Sequence, residues 1–153
     1  MEYQVRAARI TDVERIVALW SAAAPTATST AREAADLLRQ LVYLPQASVL
    51  VAEATRTIAG VAVLALRTSV RSGGFVGTVD LFVVDPDRDV EQLTGLLAEE
   101  VLRSARNKGC AIVEMAAPAE GASLAAWEQL GFTAAGPRIE FLLPVRRART
   151  GRS

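Results

Sequence analysis

Two carboxylates stand inside otherwise apolar runs, the setting in which acid–base chemistry is sought first. Asp80 lies in Val79-Asp80-Leu81-Phe82, and Glu114 lies in Ile112-Val113-Glu114-Met115. Burial makes a carboxylate harder to ionise, which brings it closer to the pH where a general base is useful. Asp80 therefore reads as a general base, or as a rim residue bonded to loop amides. Glu114 reads as a second base, or as half of a salt bridge. The chain has no histidine, so the commonest general base, triad base and metal ligand is missing. Its one cysteine, Cys110, can form neither an intramolecular disulfide nor a cysteine metal cluster. Serine-hydrolase and zinc chemistry drop out, and no metal is expected.

A second group of residues bears on anion binding. The apolar run ending at Val84 passes through Asp85-Pro86-Asp87-Arg88 to Asp89-Val90-Glu91-Gln92-Leu93-Thr94, where a helix begins. A strand that empties onto a helix N-terminus is a common phosphate cradle, because free amides and the helix dipole both favour an anion. This loop has no glycine and four carboxylates, Asp85, Asp87, Asp89 and Glu91. Asp89 with Gln92 reads as a box-like N-cap, in which the helix supplies its own anion. Such a cap contributes about 1 kcal/mol. The clustered carboxylates oppose a dianion by on the order of 1 kcal/mol or more, and Arg88 offsets part of that.

The elements that must position these residues follow from periodicity. Residues 4–9 read as a short strand. Thr11 and Glu14 form a capping box ahead of Val13, Ile16, Val17 and Trp20, which recur at helical spacing. A second box, Thr30 with Glu33, opens a helix with Ala34, Leu37, Leu38 and Leu41 inward, and Pro45 prevents its extension. Ala47–Ala54, Ile58–Thr68 and Phe75–Val84 read as an antiparallel meander, the first two joined at Thr55-Arg56. Asp89–Lys108 is a long helix with Val90, Leu93, Leu97 and Val101 on one stripe and Gly109 at its end. A strand over Ala111–Met115, a short helix over Ala122–Leu130, and strands over Phe132–Ala134 and Ile139–Pro144 complete the order β-α-α-β-β-β-α-β-α-β. Segregated antiparallel strands with one crossover helix make an α+β fold, a mostly antiparallel central sheet flanked by helices. Trp20, Cys110 and Met115 fall on apolar faces and read as packing. Tyr43 reads as core, or as a residue reaching the mouth of a binding site from the second helix.

At 153 residues the chain reads as one domain over residues 1–145 with a basic tail over residues 146–153. Charges balance at 17 against 17, which suits neither nucleic acid nor a membrane surface. No run reaches the length of a membrane span and the N-terminus has no signal-like apolar stretch, so a cytoplasmic protein is expected. The apolar surplus fits a homodimer.

The order and its local words resemble the GNAT acetyltransferase superfamily over residues 3–144. The matching words are Val5-Arg6-Ala7-Ala8 before Thr11-Asp12, Val51-Ala52-Glu53 with Ile58-Ala59-Gly60, and Leu81-Phe82-Val83-Val84-Asp85-Pro86. Ala105-Arg106-Asn107-Lys108-Gly109-Cys110 and Trp127-Glu128-Gln129-Leu130-Gly131-Phe132 follow in order. The resemblance implies an N-acyltransferase moving acetyl from acetyl-CoA, or another acyl group from its CoA ester, to a small amine by direct attack. Asp80, or a water it orients, would be the base. The cofactor would lie in a V between Phe75–Val84 and Ala111–Met115. Backbone groups of Phe82, Val83 and Val84 would pair with pantetheine and polarise the thioester, with Glu120 and Ser123 touching the pantetheine.

The diphosphate would sit on Asp89, Val90, Glu91, Gln92, Leu93 and Thr94, beside Arg88. There the family pattern Arg/Gln-x-x-Gly-x-Gly/Ala meets Asp89, Gln92 and Thr94. Trp127 stands where a proton-donating tyrosine is usual; an indole N–H donates a hydrogen bond and cannot deliver a proton. Its favoured reading is a core anchor of the last helix. Two other readings follow from these departures. One is a GNAT-fold binding or regulatory protein that has lost normal CoA binding. The other is an enzyme using another acyl donor in the same cleft.

Overall fold

The computed structural model describes residues 2–23, 29–116, 121–136, 141 and 143, and of residues 121–123 the backbone alone. The elements are β1 (Gln4–Ala7), α1 (Val13–Ala23), α2 (Ala31–Leu41), β2 (Ala47–Ala54), β3 (Thr57–Ser69), β4 (Gly74–Val84), α3 (Val90–Asn107), β5 (Cys110–Met115) and α4 (Gly121–Gln129). One sheet holds the strands in the order β1-β2-β3-β4-β5. Neighbours are antiparallel except β4 and β5, which run parallel across the α3 crossover. The mixed, mostly antiparallel α+β architecture is the one the sequence implies.

Each face of the sheet buries its own cluster. Leu93, Leu97, Val101 and Ala105 of α3 pack on Leu50, Ala62, Leu64 and Val79, with Phe82 and Val84 beside them. On the opposite face Val13, Ile16 and Leu38 of α1 and α2 meet Val49, Val51, Val61 and Val63, with Leu81 and Val83 at the margin. A Cβ built on Gly60 would lie 2.7 Å from Leu97 Cδ1, so the missing side chain lets α3 settle close against the sheet.

The β2–β3 connection is a two-residue turn in which Thr55 (φ 51°) and Arg56 (φ 66°) are both left-handed. A twisted hairpin needs that geometry, although asparagine and glycine adopt it at less cost. The Nη1 of Arg15 holds the turn from α1, donating to the Arg56 carbonyl at 2.9 Å.

The start of α1 departs from expectation. A short 3-10 turn at Ile10–Asp12 precedes it, and Asp12, not the Thr11–Glu14 pair, satisfies the chain there. Asp12 Oδ2 accepts from the Arg9 amide at 2.7 Å and from Arg6 Nη1 at 2.7 Å, while Oδ1 accepts from Arg6 Nη2 and from Arg15. The Arg6 guanidinium also reaches across to Glu53 of β2 at 3.1 Å. Asp12 is the stronger partner because its carboxylate is 1% exposed, and desolvation strengthens a charge-assisted bond. The Thr30–Glu33 box does form, with the Glu33 amide donating to Thr30 Oγ1 at 3.1 Å and the Thr30 amide donating to Glu33 Oε1 at 2.8 Å. In α2, Leu37 faces outward instead of inward, because Leu38 and the half-buried Ala34, Ala35 and Leu41 already fill that side.

At the other end of α3, Gly109 takes the left-handed conformation (φ 82°) expected after a helix C-terminus. The one lysine, Lys108, donates to the Pro45 carbonyl at 2.8 Å. Phe132–Ala134, expected as a strand, carries no strand structure. The expected strand at Ile139–Pro144 falls outside the described residues apart from Phe141 and Leu143, as does the basic tail.

Candidate active site

The two parallel strands part company partway along. They pair from Phe75↔Cys110 to Val79↔Met115, after which β5 ends and β4 continues to Val84. Beyond that apex β4 is bonded on one side only among the described elements, to β3 in the register Leu81↔Val63, Phe82↔Ala62, Val83↔Val61 and Val84↔Gly60. The Asp85 amide donates to Ala59 O at 2.8 Å, continuing that register. Antiparallel ladders alternate between bonded and non-bonded pairs. Leu81 and Val83 therefore turn their backbone groups to β3, as Asp85 does. Phe82 and Val84 turn theirs to the opened side, where they form a short, unpaired strand edge. Of the three backbone positions implied by resemblance, Phe82 and Val84 face the V; Val83 faces its neighbour strand.

A bulge sets this phase. Leu64 lies opposite Val79 and Val63 opposite Leu81, so Asp80 is an extra residue on β4. Its insertion puts Val79 and Phe82, three residues apart, on the same α3-facing side. Asp80 itself is exposed, and the burial on which its selection as a base depended is absent. It has no ion pair among the described residues, and it is the first β4 residue beyond the apex. Glu114 is the last β5 residue before Met115, so the two candidate carboxylates flank the apex, one from each strand. Glu114 Oε1 accepts from Arg67 Nη2 of β3 at 3.5 Å, the salt bridge offered as its alternative. Arg67 was not singled out in the sequence; its strand alternation alone places it on that face.

Trp127 of α4 closes the α3-facing side of the opened edge. It is 4% exposed, and its ring meets Phe82 edge-on (4.7 Å between centroids, 75° between planes) and Phe132 likewise (5.0 Å, 86°). These are favourable edge-to-face arrangements, and Trp127 serves as the anchor that docks α4 beside β4. Glu120 lies outside the described residues, and so does the side chain of Ser123.

The loop between β4 and α3 is largely satisfied by its own groups. Asp85 Oδ1 accepts from the Asp87 amide at 2.9 Å, the Asp85 carbonyl accepts from the Arg88 amide at 3.2 Å, and the Arg88 guanidinium lies 3.7 Å from the Asp85 carboxylate. Asp89 caps α3, taking the Gln92 amide on Oδ1 at 3.1 Å and the Leu93 amide on its carbonyl at 3.0 Å. Leu93 is fully buried in the α3 cluster, so neither its side chain nor its amide is offered to a ligand. Val90, Glu91 and Gln92 are exposed, and Thr94 and Arg88 are half-buried. Among the described residues no group of histidine, cysteine or acidic side chains is arranged to hold a metal ion.

Elsewhere, Tyr43 lies away from the V. It lines a groove of about 420 Å³ with Leu44, Pro45, Ser48, Ser104 and Lys108, near the C-terminal end of α3. Cys110 is half-buried, and burial raises its thiol pKa above the ordinary value. No helix among the described residues is long and apolar enough to cross a membrane.

A family model described as "Acetyltransferase (GNAT) family" matches residues 13–132. No curated protein matches the chain. Among solved structures, an aminoglycoside N-acetyltransferase, AAC(6')-Iy, in complex with CoA superposes with a TM-score of 0.80 at 19% identity, over 92% of this chain and 94% of that one. A glucosamine-6-phosphate N-acetyltransferase from Arabidopsis thaliana gives 0.76 at 18% identity, over 93% and 99%. An acetyltransferase from Trypanosoma brucei gives 0.71 at 24% identity, over 93% and 100%. At these identities the likeness is one of fold.

Proposed function

Because the chain belongs to the GNAT acetyltransferase family, we propose that it is an acyl-CoA-dependent N-acyltransferase, moving acetyl or a similar group to a small amine by direct attack. The observation that carries this reading is the opened edge of β4. Beyond the Val79/Met115 apex, Phe82 and Val84 present backbone donors and acceptors that need a partner in extended form. A pantetheine arm, with its amides in line, has the spacing of a strand and suits that edge. CoA supplies a thioester, an acyl carbon already activated towards an amine.

The protein's part is to orient and to manage protons. Backbone N–H groups of Phe82 and Val84 are fixed donors for the arm and for a developing oxyanion, costing no reorganisation when charge appears. Asp80, at the apex and open to solvent, takes the amine proton directly or through a water. Trp127 holds no ionisable proton, so the leaving thiolate is protonated by water. The start of α3 opposes a diphosphate, since the Asp89 carboxylate occupies that helix end. Affinity would then come chiefly from the strand edge. That same self-capped helix favours a second reading, a GNAT-fold binding protein without CoA.

Thermal denaturation with acetyl-CoA and with CoA separates the two. A ligand at 100 times its Kd stabilises by about 2.7 kcal/mol, and a rise in Tm of the corresponding size is expected. No shift with either at millimolar concentration would sink the acyltransferase reading in favour of the second.

A further inference from the structure

The face of the sheet at the V apex carries a charge pattern that points to the class of acceptor, an inference that rests on the acyltransfer reading for its meaning. Leu64 and Leu66 of β3, Val79 of β4, and Val113 and Met115 of β5 all belong to the α3-facing cluster. Alternation therefore puts Arg67, Thr78, Ile112 and Glu114 on the opposite face. The register sets them side by side: Arg67 is opposite Val76, Thr78 is opposite Glu114, and Asp80 follows at the bulge. The α1–α2 cluster on this face is built on Val61, Val63, Leu81 and Val83, farther along the strands. Among the described residues the apex end is open to solvent at Arg67 (56%) and Glu114 (39%) and at Ile112, although Val76 between Arg67 and Ile112 is buried.

Arg67 is under-used where it stands. Its contact with Glu114 is a single one at 3.5 Å, the outer limit of a hydrogen bond, between two exposed groups. Such a pair contributes little, and the planar fork keeps most of its N–H donors for another partner. Across the apex, Asp80 is a carboxylate with no ion pair among the described residues. A cation with spare paired donors and a free anion, on either side of the acyl-transfer point, match a ligand with the opposite arrangement.

We infer that Arg67 is the specificity-determining residue for the acceptor, and that the acceptor is a zwitterion of the amino-acid type. Its carboxylate would pair with Arg67 and its amine would be held at Asp80, with an apolar side chain meeting Ile112. Acyl transfer to it balances simply. The ammonium first gives one proton to Asp80 or to water, which frees its lone pair. The nitrogen then bonds to the acyl carbon, the carbon–sulfur bond breaks, the thiolate leaves with the electron pair, and the second proton passes through water to that thiolate.

The test is calorimetric titration of the whole protein, with and without CoA, using L-leucine, L-methionine and L-phenylalanine, each against its own amide. At about pH 6, where both amines are protonated, amides keep the ammonium and side chain and lose the carboxylate charge. Each acid is expected to bind roughly 10- to 100-fold more tightly than its amide, the size of a charge-assisted hydrogen-bonded pair. Arg67→Gln removes that preference, Arg67→Lys restores part of it, and Glu114→Gln, which frees the guanidinium, strengthens acid binding. Equal binding of acids and amides, no binding of any acid, or a preference unchanged in Arg67→Gln overturns the inference. Because the readout is acceptor binding, it is separable from the acyltransferase reading, which stands or falls on the acetyl-CoA titration.

Discussion

A single buried carboxylate, Asp12, organises the entry of the chain into the fold. Arg6 holds it by two hydrogen bonds, its largest influence, and with the Arg9 amide and Arg15 this keeps its pKa down to about 2 from 3.8, against the opposing effect of burial. A lowered folded-state pKa means stability that is present above pH 3.8 and lost as pH falls through about 2. At 1.36 kcal/mol per unit, the amount is about 2 kcal/mol. Denaturant titrations between pH 5 and pH 2 should show that loss (roughly 2 kcal/mol), and Asp12→Asn should flatten it. At neutral pH the variant should lose about 3 kcal/mol, since it leaves Arg6 and Arg15 short of a partner at a desolvated site. Asp12 entered the sequence reading only as a member of the word Thr11-Asp12, with no role of its own. Its partners come from β1, α1 and, through Arg6, β2, and no local pattern links residues 6, 12 and 53. The expected burial of Asp80 failed in the opposite way. Apolar neighbours suggested burial, but a bulge cannot be read from composition, and the bulge leaves Asp80 in solvent.

At the scale of elements, the sequence was most informative where periodicity and capping agree. β2 and α3 have the expected extents within a residue or two, and Asp89 caps α3 through the Gln92 amide, without the return bond from the Gln92 side chain that a full box requires. What stayed hidden was the direction of backbone groups at Phe82, Val83 and Val84, because all three are apolar and only strand pairing distinguishes them. The cap on α3 allows a test in which stability and affinity move in opposite directions. Asp89→Gly should lower stability by only a few tenths of a kcal/mol, because glycine is itself an acceptable N-cap. It also removes the carboxylate that would face a diphosphate. If CoA is held at this helix end, its Kd should fall about fivefold, equivalent to roughly 1 kcal/mol, as measured by calorimetry. An unchanged Kd would mean that the diphosphate lies elsewhere.

For the whole molecule, stability should be graded outward from β3. That strand is paired on both sides, and Val61, Ala62, Val63 and Leu64 are essentially sealed, one face against α1 and α2 and the other against α3. β1 is short and, among the described residues, lies at the sheet edge, paired only with β2. Amide hydrogen exchange should therefore be slowest in β3 and in α3 from Leu97 to Val101, and much faster in β1. Comparable protection in β1 and β3 would contradict this picture. The architecture was legible because strand, helix and breaker signals follow one another in an order few folds share. The proposed acceptor side was not legible, since it depends on which parts of the sheet α1 and α2 cover. The extra residue at Asp80 also governs how this chain can change. Each half of β4 is in phase with a different requirement: upstream with β5, downstream with Trp127 and the open edge. Replacing Asp80 alters a side chain, whereas deleting it would rotate one half by a full alternation, turning Phe82 away from Trp127 or Val79 away from α3. The position is open to substitution and closed to loss, so chains descended from this one can vary the residue at the apex but must keep the count.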